Sequence, residues 1–193
     1  MSYCTLPEVL VRMGHDGAAS RPLDDRISAA ILAATTAIDN DTGRSFTPVT
    51  EARTFGTDRC TDVLRVPDLV SVSALKVDDD DDGVFETTIT DYELDTYRTS
   101  TGWPFDMVRL FDRDFPIPAR RRRRVEITGT WGWAAVPAPI NQAASLMAAR
   151  IAQRTSAALF GTQSFGDFGA APIRSQDPDY LALIAPYRRP QVA

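Results

Sequence analysis

Histidine occurs once in this chain, at His15, lysine once, at Lys76, and cysteine twice, at Cys4 and Cys60. These scarcities exclude much chemistry. A structural zinc site takes about four Cys or His ligands, and the three available here show no CxxC spacing. Asp16 stands beside His15, but no nucleophile motif accompanies them. P-loop, GxGxxG, GxSxG and HExxH patterns are all missing. No catalytic residue, no metal site and no cofactor are therefore expected, and the chain is not read as an enzyme. Apolar runs long enough for a membrane helix are lacking too, since a span needs about 20 residues. The opening Met1-Ser2-Tyr3-Cys4 has neither the basic nor the apolar region of a secretory signal. A soluble protein made in the cytoplasm is expected, with no membrane partner. In that reducing compartment Cys4 and Cys60 are read as free structural thiols rather than a disulfide.

What is present suits a folded domain. Of 193 residues 44% are hydrophobic and 24% charged, with a net charge of -5. That supplies one core, for one domain or one domain carrying an insertion, and rules against disorder. Apart from Lys76 every basic residue is arginine, a coding bias without chemical content.

Helical and strand patterns occupy different stretches. Thr5 and Glu8 form a capping box ahead of Leu6, Val9, Leu10 and Met13, and Gly14 ends this short helix. A second helix starts near Asp24 and Asp25 and carries an apolar stripe of Ile27, Ala30, Ile31, Ala34, Ala37 and Ile38, closing by Gly43. From about Thr50 to Thr130 short β-prone runs alternate with turn signals: 52–55, 63–66, 70–77, 85–90, 92–94, 107–111 and 123–129. Pro67-Asp68, Asp82-Gly83 and Gly102-Trp103-Pro104 read as breakers. Pro137 and Pro139 mark the start of an alanine-rich helix through about Thr155. A Gly/Phe/Ser-rich loop follows over 159–171, then a short helix from Asp177 that Pro186 stops. The expected fold is α+β, a small helical bundle with an inserted antiparallel β-sandwich or barrel-like module. Its parts are 1–48, N-terminal helices; 49–133, the β module; and 134–193, bundle helix, loop and C-terminal segment.

Three surface features invite a function. The run Asp78 to Asp82 suggests calcium, but it lacks the spacing and the twelfth-position glutamate of an EF-hand, and a solvated hairpin tip is the better reading. Arg120, Arg121, Arg122, Arg123 and Arg124 could meet phosphates, for instance DNA passing through a channel. The negative net charge argues against a sequence-specific DNA-binding domain, and a charged strand edge is the plainer account. Phe160, Phe165 and Phe168 in the loop either dock on a partner or fold back on the core.

Two phrases carry a resemblance. One is Ala37-Ile38-Asp39-Asn40-Asp41-Thr42-Gly43-Arg44-Ser45-Phe46, a helix closing in Gly-Arg-aromatic. The more specific one is Val125-Glu126-Ile127-Thr128-Gly129-Thr130-Trp131-Gly132-Trp133, followed by Val136-Pro137 and an alanine-rich helix. With the paired segments Val63–Val66 and Val70–Val77, this order over residues 24–155 resembles the head-to-tail connector (adaptor) proteins of long-tailed bacteriophages and phage-like gene transfer agents.

The resemblance implies a structural virion protein of the neck, between head and tail. Such a protein forms a homo-oligomeric ring, typically of twelve subunits, below the portal protein, extends the DNA channel and docks stopper or tail-completion proteins. It implies ring-building helices bearing Ile27, Ile31, Ala34, Ile38, Ala144, Met147 and Ile151. It further implies a portal-contacting segment bearing Tyr180, Leu181, Ile184, Tyr187, Arg188 and Arg189. The alternatives are another neck component, a stopper or tail terminator, or a DNA-binding module using the arginine run.

Overall fold

The computed structural model describes residues 2–15, 21–56, 61–97, 102–116, 123–159 and 178–189, with backbone alone for 21–22 and 154–159. Helix α1, Leu6–Arg12, is opened by Thr5, whose backbone N–H donates to Glu8 Oε2 at 2.6 Å. Gly14 ends it at φ 78°, a left-handed conformation that glycine adopts without strain. Helix α2, Arg21–Thr42, starts a turn earlier than its acids suggest, because Pro22 is tolerated in a first turn. It buries Ile27, Ala30, Ile31, Ala34 and Ile38 against α3, Ala138–Leu159. Thr35, rather than Ala37, completes the buried stripe, its hydroxyl donating to the Ile31 carbonyl at 2.9 Å. Helix α4, Pro178–Ile184, packs on α3 and runs into a 3-10 turn, Ala185–Tyr187.

In the sequence between α2 and α3 the described residues form six strands: β1 Val49–Phe55, β2 Val63–Val77, β3 Thr87–Thr88, β4 Tyr92–Asp95, β5 Phe105–Leu110 and β6 Val125–Trp131. All pairs are antiparallel, in the order β1-β6-β2-β5-β4, with β3 on β2. The α+β class is as expected. The antiparallel module expected between the helices is present as one sheet that is not closed into a barrel: β1 pairs only with β6 and β4 only with β5, so the ladder does not return on itself among the described residues. The two strands expected at 63–66 and 70–77 are one strand. Pro67 sits where the β2–β5 register shifts between Arg65 and Leu69, a bulge position where a missing N–H costs the ladder nothing. The run expected over 85–90 shortens to Thr87–Thr88.

Alternation along β6 buries Val125, Ile127, Gly129 and Trp131. With Leu64, Leu69, Leu75, Val77, Val108, Leu110 and Phe115 they make the sheet's core. The chain divides into two compact units, a helical one of Met1–Arg44 with Val136–Ala193 and a sheet unit of Ser45–Ala135.

Candidate functional site

The acidic run follows the last residue of β2, Val77, which pairs with Val125 at the start of β6. This register brings Asp78 beside Arg124, and the two exchange backbone and side-chain bonds. The Asp78 N–H donates to the Arg124 carbonyl at 3.0 Å, and Arg124 Nε donates to the Asp78 carbonyl at 2.8 Å. The guanidinium also lies 3.9 Å from Asp81, with both side chains about 9% exposed. Arg124 is thus a buried prop of the acidic loop, which corrects its assignment to a DNA-facing patch. Arg123 is exposed, and Arg120, Arg121 and Arg122 lie outside the described residues.

Within the loop, Asp78 is fully buried and its two carboxylate oxygens accept from the Asp81 and Gly83 amides at 2.7 and 2.9 Å. Asp81 takes φ 64°, which its short polar side chain tolerates. Arg113 bonds Asp79 at 2.6 Å. Partial burial raises the Asp79 carboxyl, but hydrogen bonds from Arg113 and Thr87 and the Arg113 charge outweigh it and hold it below the ordinary range. The carboxylates of Asp78, Asp80, Asp82 and Glu86 have oxygens within 4.8 Å of one another, so among the described residues these four could hold a hard cation. The sequence signal for this convergence was Asp78, Asp80 and Asp82 alternating before Gly83, which is the opening spacing of an EF-hand loop after all and corrects the reading that the run lacks it. Ile89 stands where an EF-hand has its glutamate, and the amides already occupying Asp78 give the loop a structural account without an ion.

Ile27, Ile31, Ala34, Ile38 and Ala144, the residues that the resemblance assigns to a ring interface, are buried within the helical unit, and Met147 and Ile151 are half-buried. The apolar stripe on α2 is covered by α3 of the same chain. What remains outside is different: on α2, Ser28, Ala29, Leu32, Ala33 and Thr36 are exposed. A separate open groove of about 630 Å³ runs between α1 and α3, lined by Pro7, Glu8, Val11, Arg12, Asn141 and Ser145. Asn141 Nδ2 ties the groove floor by donating to the Tyr3 carbonyl at 2.9 Å.

The C-terminal segment is held to its own unit. Tyr180 is buried and its hydroxyl donates to Asp41 Oδ2 at 2.8 Å. Burial, the Asp41 hydrogen bond and the Asp41 charge push that phenol well above its ordinary range. Ile184 is fully buried, Arg44 Nε donates to the Tyr187 carbonyl at 2.8 Å, and the Arg189 N–H donates to the Thr42 carbonyl at 3.0 Å. Of the six portal-contact candidates, Tyr180 and Ile184 are therefore core residues. Leu181 and Tyr187 are half-buried, and Arg188 and Arg189 are exposed. Phe160, Phe165 and Phe168 lie outside the described residues.

The sequence phrase around Gly129 and Gly132 has a packing origin. A Cβ on Gly129 would come within 2.3 Å of the Ser71 carbonyl, and one on Gly132, at φ 95°, within 2.3 Å of the Thr47 carbonyl. The tryptophans beside them are committed: Trp131 Nε1 donates to the Glu51 carbonyl at 2.9 Å, and Trp133 contacts Phe46 at a tilt and Trp103 edge-to-face, with centroids 5.3 and 4.8 Å away. His15 is exposed, just after the end of α1. No helix among the described residues is long and apolar enough to cross a membrane.

No protein-family model matches the chain, and no curated protein matches it. Its fold is shared with chains of gene transfer agent particles. Against a chain from the neck of an empty particle, computed with C6 symmetry, the TM-score is 0.59 at 22% identity, covering 97% of this chain and 90% of that one. A chain from the neck of the native particle, computed with C12 symmetry, gives 0.54 at 22% identity over 100% and 96%. A chain of the native virion gives 0.52 at 21% identity over 100% and 96%.

Proposed function

We propose that this chain is a structural component of the neck of a phage-like particle, a head-to-tail adaptor whose copies form a ring below the portal protein. The observation that carries the reading is likeness over the whole chain, helical unit and sheet unit together, to chains of particle necks solved with sixfold and twelvefold symmetry. Cyclic symmetry needs a head-to-tail contact between identical copies, and the helical unit has separate uncovered surfaces on α2 and on the α1/α3 groove. In this reading the ring holds twelve copies, extends the DNA channel and receives a stopper or tail-completion protein. Contact with DNA is non-specific and falls to exposed arginines such as Arg123. Arg188, Arg189 and the open parts of Leu181 and Tyr187 face the portal. The chain works in the virion without a cofactor and is not an enzyme.

An adaptor is favoured over a stopper or tail terminator by the packed helices α2, α3 and α4, because those neighbours tend to be β-dominated. The test is negative-stain electron microscopy of lysates from a host carrying a nonsense allele of the gene. DNA-filled or leaking heads beside separate, complete tails are the expected result. Normal tailed particles would remove the chain from the joining step.

A further inference from the structure

Strand β4 ends one side of the sheet and, among the described residues, pairs only with β5. Its register fixes which backbone groups are left over. The Leu110 N–H donates to the carbonyl of Asp62, the residue before β2, at 2.8 Å. Tyr92, opposite Leu110, therefore turns its N–H and C=O away from β5, and Leu94 does the same two residues on. We propose that this free edge takes the arginine-bearing segment 117–122 of a neighbouring copy as an added strand. The inference rests on the ring reading above and names one joint between copies.

Charge selects the occupant. From Asp78 to Asp114 the chain carries twelve acids against three arginines, and five arginines in a row follow at Arg120 to Arg124. In the acidic loop, Arg113 answers Asp79 and Arg124 lies by Asp81. On β4, alternation sets Tyr92 and Leu94 against the core and Asp91, Glu93 and Asp95 on the other face. Asp91 and Glu93 are exposed, and no ion pair holds either of them among the described residues. Two such edges brought together would set acid against acid, so β4 does not pair with β4 of another copy. Acids on an edge discourage indiscriminate pairing, and here they favour a basic strand. The side chains of an extended segment repeat every second residue, as Asp91, Glu93 and Asp95 do. Arg120 and Arg122 then lie beside the acids, while Arg121 and Arg123 alternate to the opposite side, which leaves Arg123 for contact with DNA.

Strand addition needs no preformed pocket, because edge backbone supplies the ladder and the side chains along it choose the partner. Six residues separate Pro116 from Arg123, enough to match the four of β4. Within its own copy the segment is tied at both ends beside β2, Phe115 to Thr61 and Arg124 to Asp78, and β5 stands between β2 and β4. The edge of a second copy carries no such constraint. Edge and segment are different parts of the chain, so the contact is head-to-tail, the kind that closes a ring.

The test uses the full chain, sized alone and with its particle's other neck components. One variant carries Asp91→Arg with Glu93→Arg, another Arg120→Glu with Arg122→Glu. Each by itself should assemble about tenfold more weakly, since attraction becomes like-charge repulsion at two positions. Mixed one to one they should assemble again, because each offers the charge that the other lacks. Undiminished assembly by either variant alone would overturn the joint and leave the adaptor reading standing, and a lowered melting temperature alongside it would put the segment on its own copy's edge. A mixture that fails to assemble although both variants melt as the wild type does would sink the joint as well. Should a reversed variant melt early, the milder Asp91→Asn with Glu93→Gln has to weaken assembly by itself, and no change there counts against the joint. A wild-type chain that stays monomeric in both settings would remove the ring and the inference together.

Discussion

Arg124 ends an arginine run in the sequence, yet its side chain belongs to the acidic loop. Burial of a guanidinium is tolerated only with partners that repay its lost hydration, and here the Asp78 carbonyl and Asp81 supply them. Arg124→Ala should therefore cost about 2–4 kcal/mol, the range for leaving a buried acceptor and charge unpaired. The urea midpoint measures this; an unchanged midpoint would mean that the loop does not need its prop. Arg123, one residue earlier and exposed, serves as the control. The run looked uniform in sequence because nothing local marks which arginine meets the β2–β6 register.

Cys4 makes a second residue-scale case. Burial first, and the nearby Glu8 charge second, push its thiol from an ordinary 9.0 up to about 11 against the opposing pull of Arg12. The unfolded chain gives up this proton near pH 9 while the native chain keeps it, so the contribution to stability is complete below 9 and disappears by about 11. Stability should thus fall with rising pH across that window, and Cys4→Ala should flatten the fall. Parallel slopes for the two proteins would assign the alkaline loss to other groups.

At the scale of elements, the sequence was most informative where a local pattern had a local cause. The capping box at Thr5 and Glu8, the α2 stripe and the strand leading into Trp131 follow their patterns closely. It failed where pairing overruled local turn chemistry. Pro67-Asp68 has the composition of a breaker, but β5 and β6 flank it and carry β2 through as a bulge. The same limit affected the candidate interface. Periodicity identifies an apolar stripe and cannot say whether the element covering it belongs to the same copy; for Ile27, Ile31, Ala34 and Ile38 it is α3 of the same chain.

The turn after β6 yields a prediction at this scale. Gly132 combines φ 95° with a carbonyl 2.3 Å from where a Cβ would stand, whereas Gly102, at φ 88°, has open space around it. Gly102→Ala should cost about 1 kcal/mol from backbone strain alone. Gly132→Ala adds a clash with backbone, and about 3 kcal/mol or more is expected. Thermal melts of the two variants compare them directly, and equal losses would show that the Thr47 carbonyl moves aside freely.

For the molecule as a whole, the α+β class and the presence of a β module between helices were legible, because hydrophobic period switches at both of its borders. Closure of the sheet was not, since whether β1 and β4 meet depends on strand order rather than on any one strand's residues.

The insertion also sets an order of events during synthesis. The helical unit is split across the chain, with α1 and α2 in its first 44 residues and α3 and α4 after residue 135. The apolar side of α2 has no cover until α3 leaves the ribosome, and translation runs at about 5–20 residues per second. Something on the order of ten seconds therefore passes with Ile27, Ile31 and Ile38 uncovered, while the sheet unit is made and can fold first. The helical unit is completed last, so a chain arrested inside the sheet would expose the surface most prone to meet wrong partners.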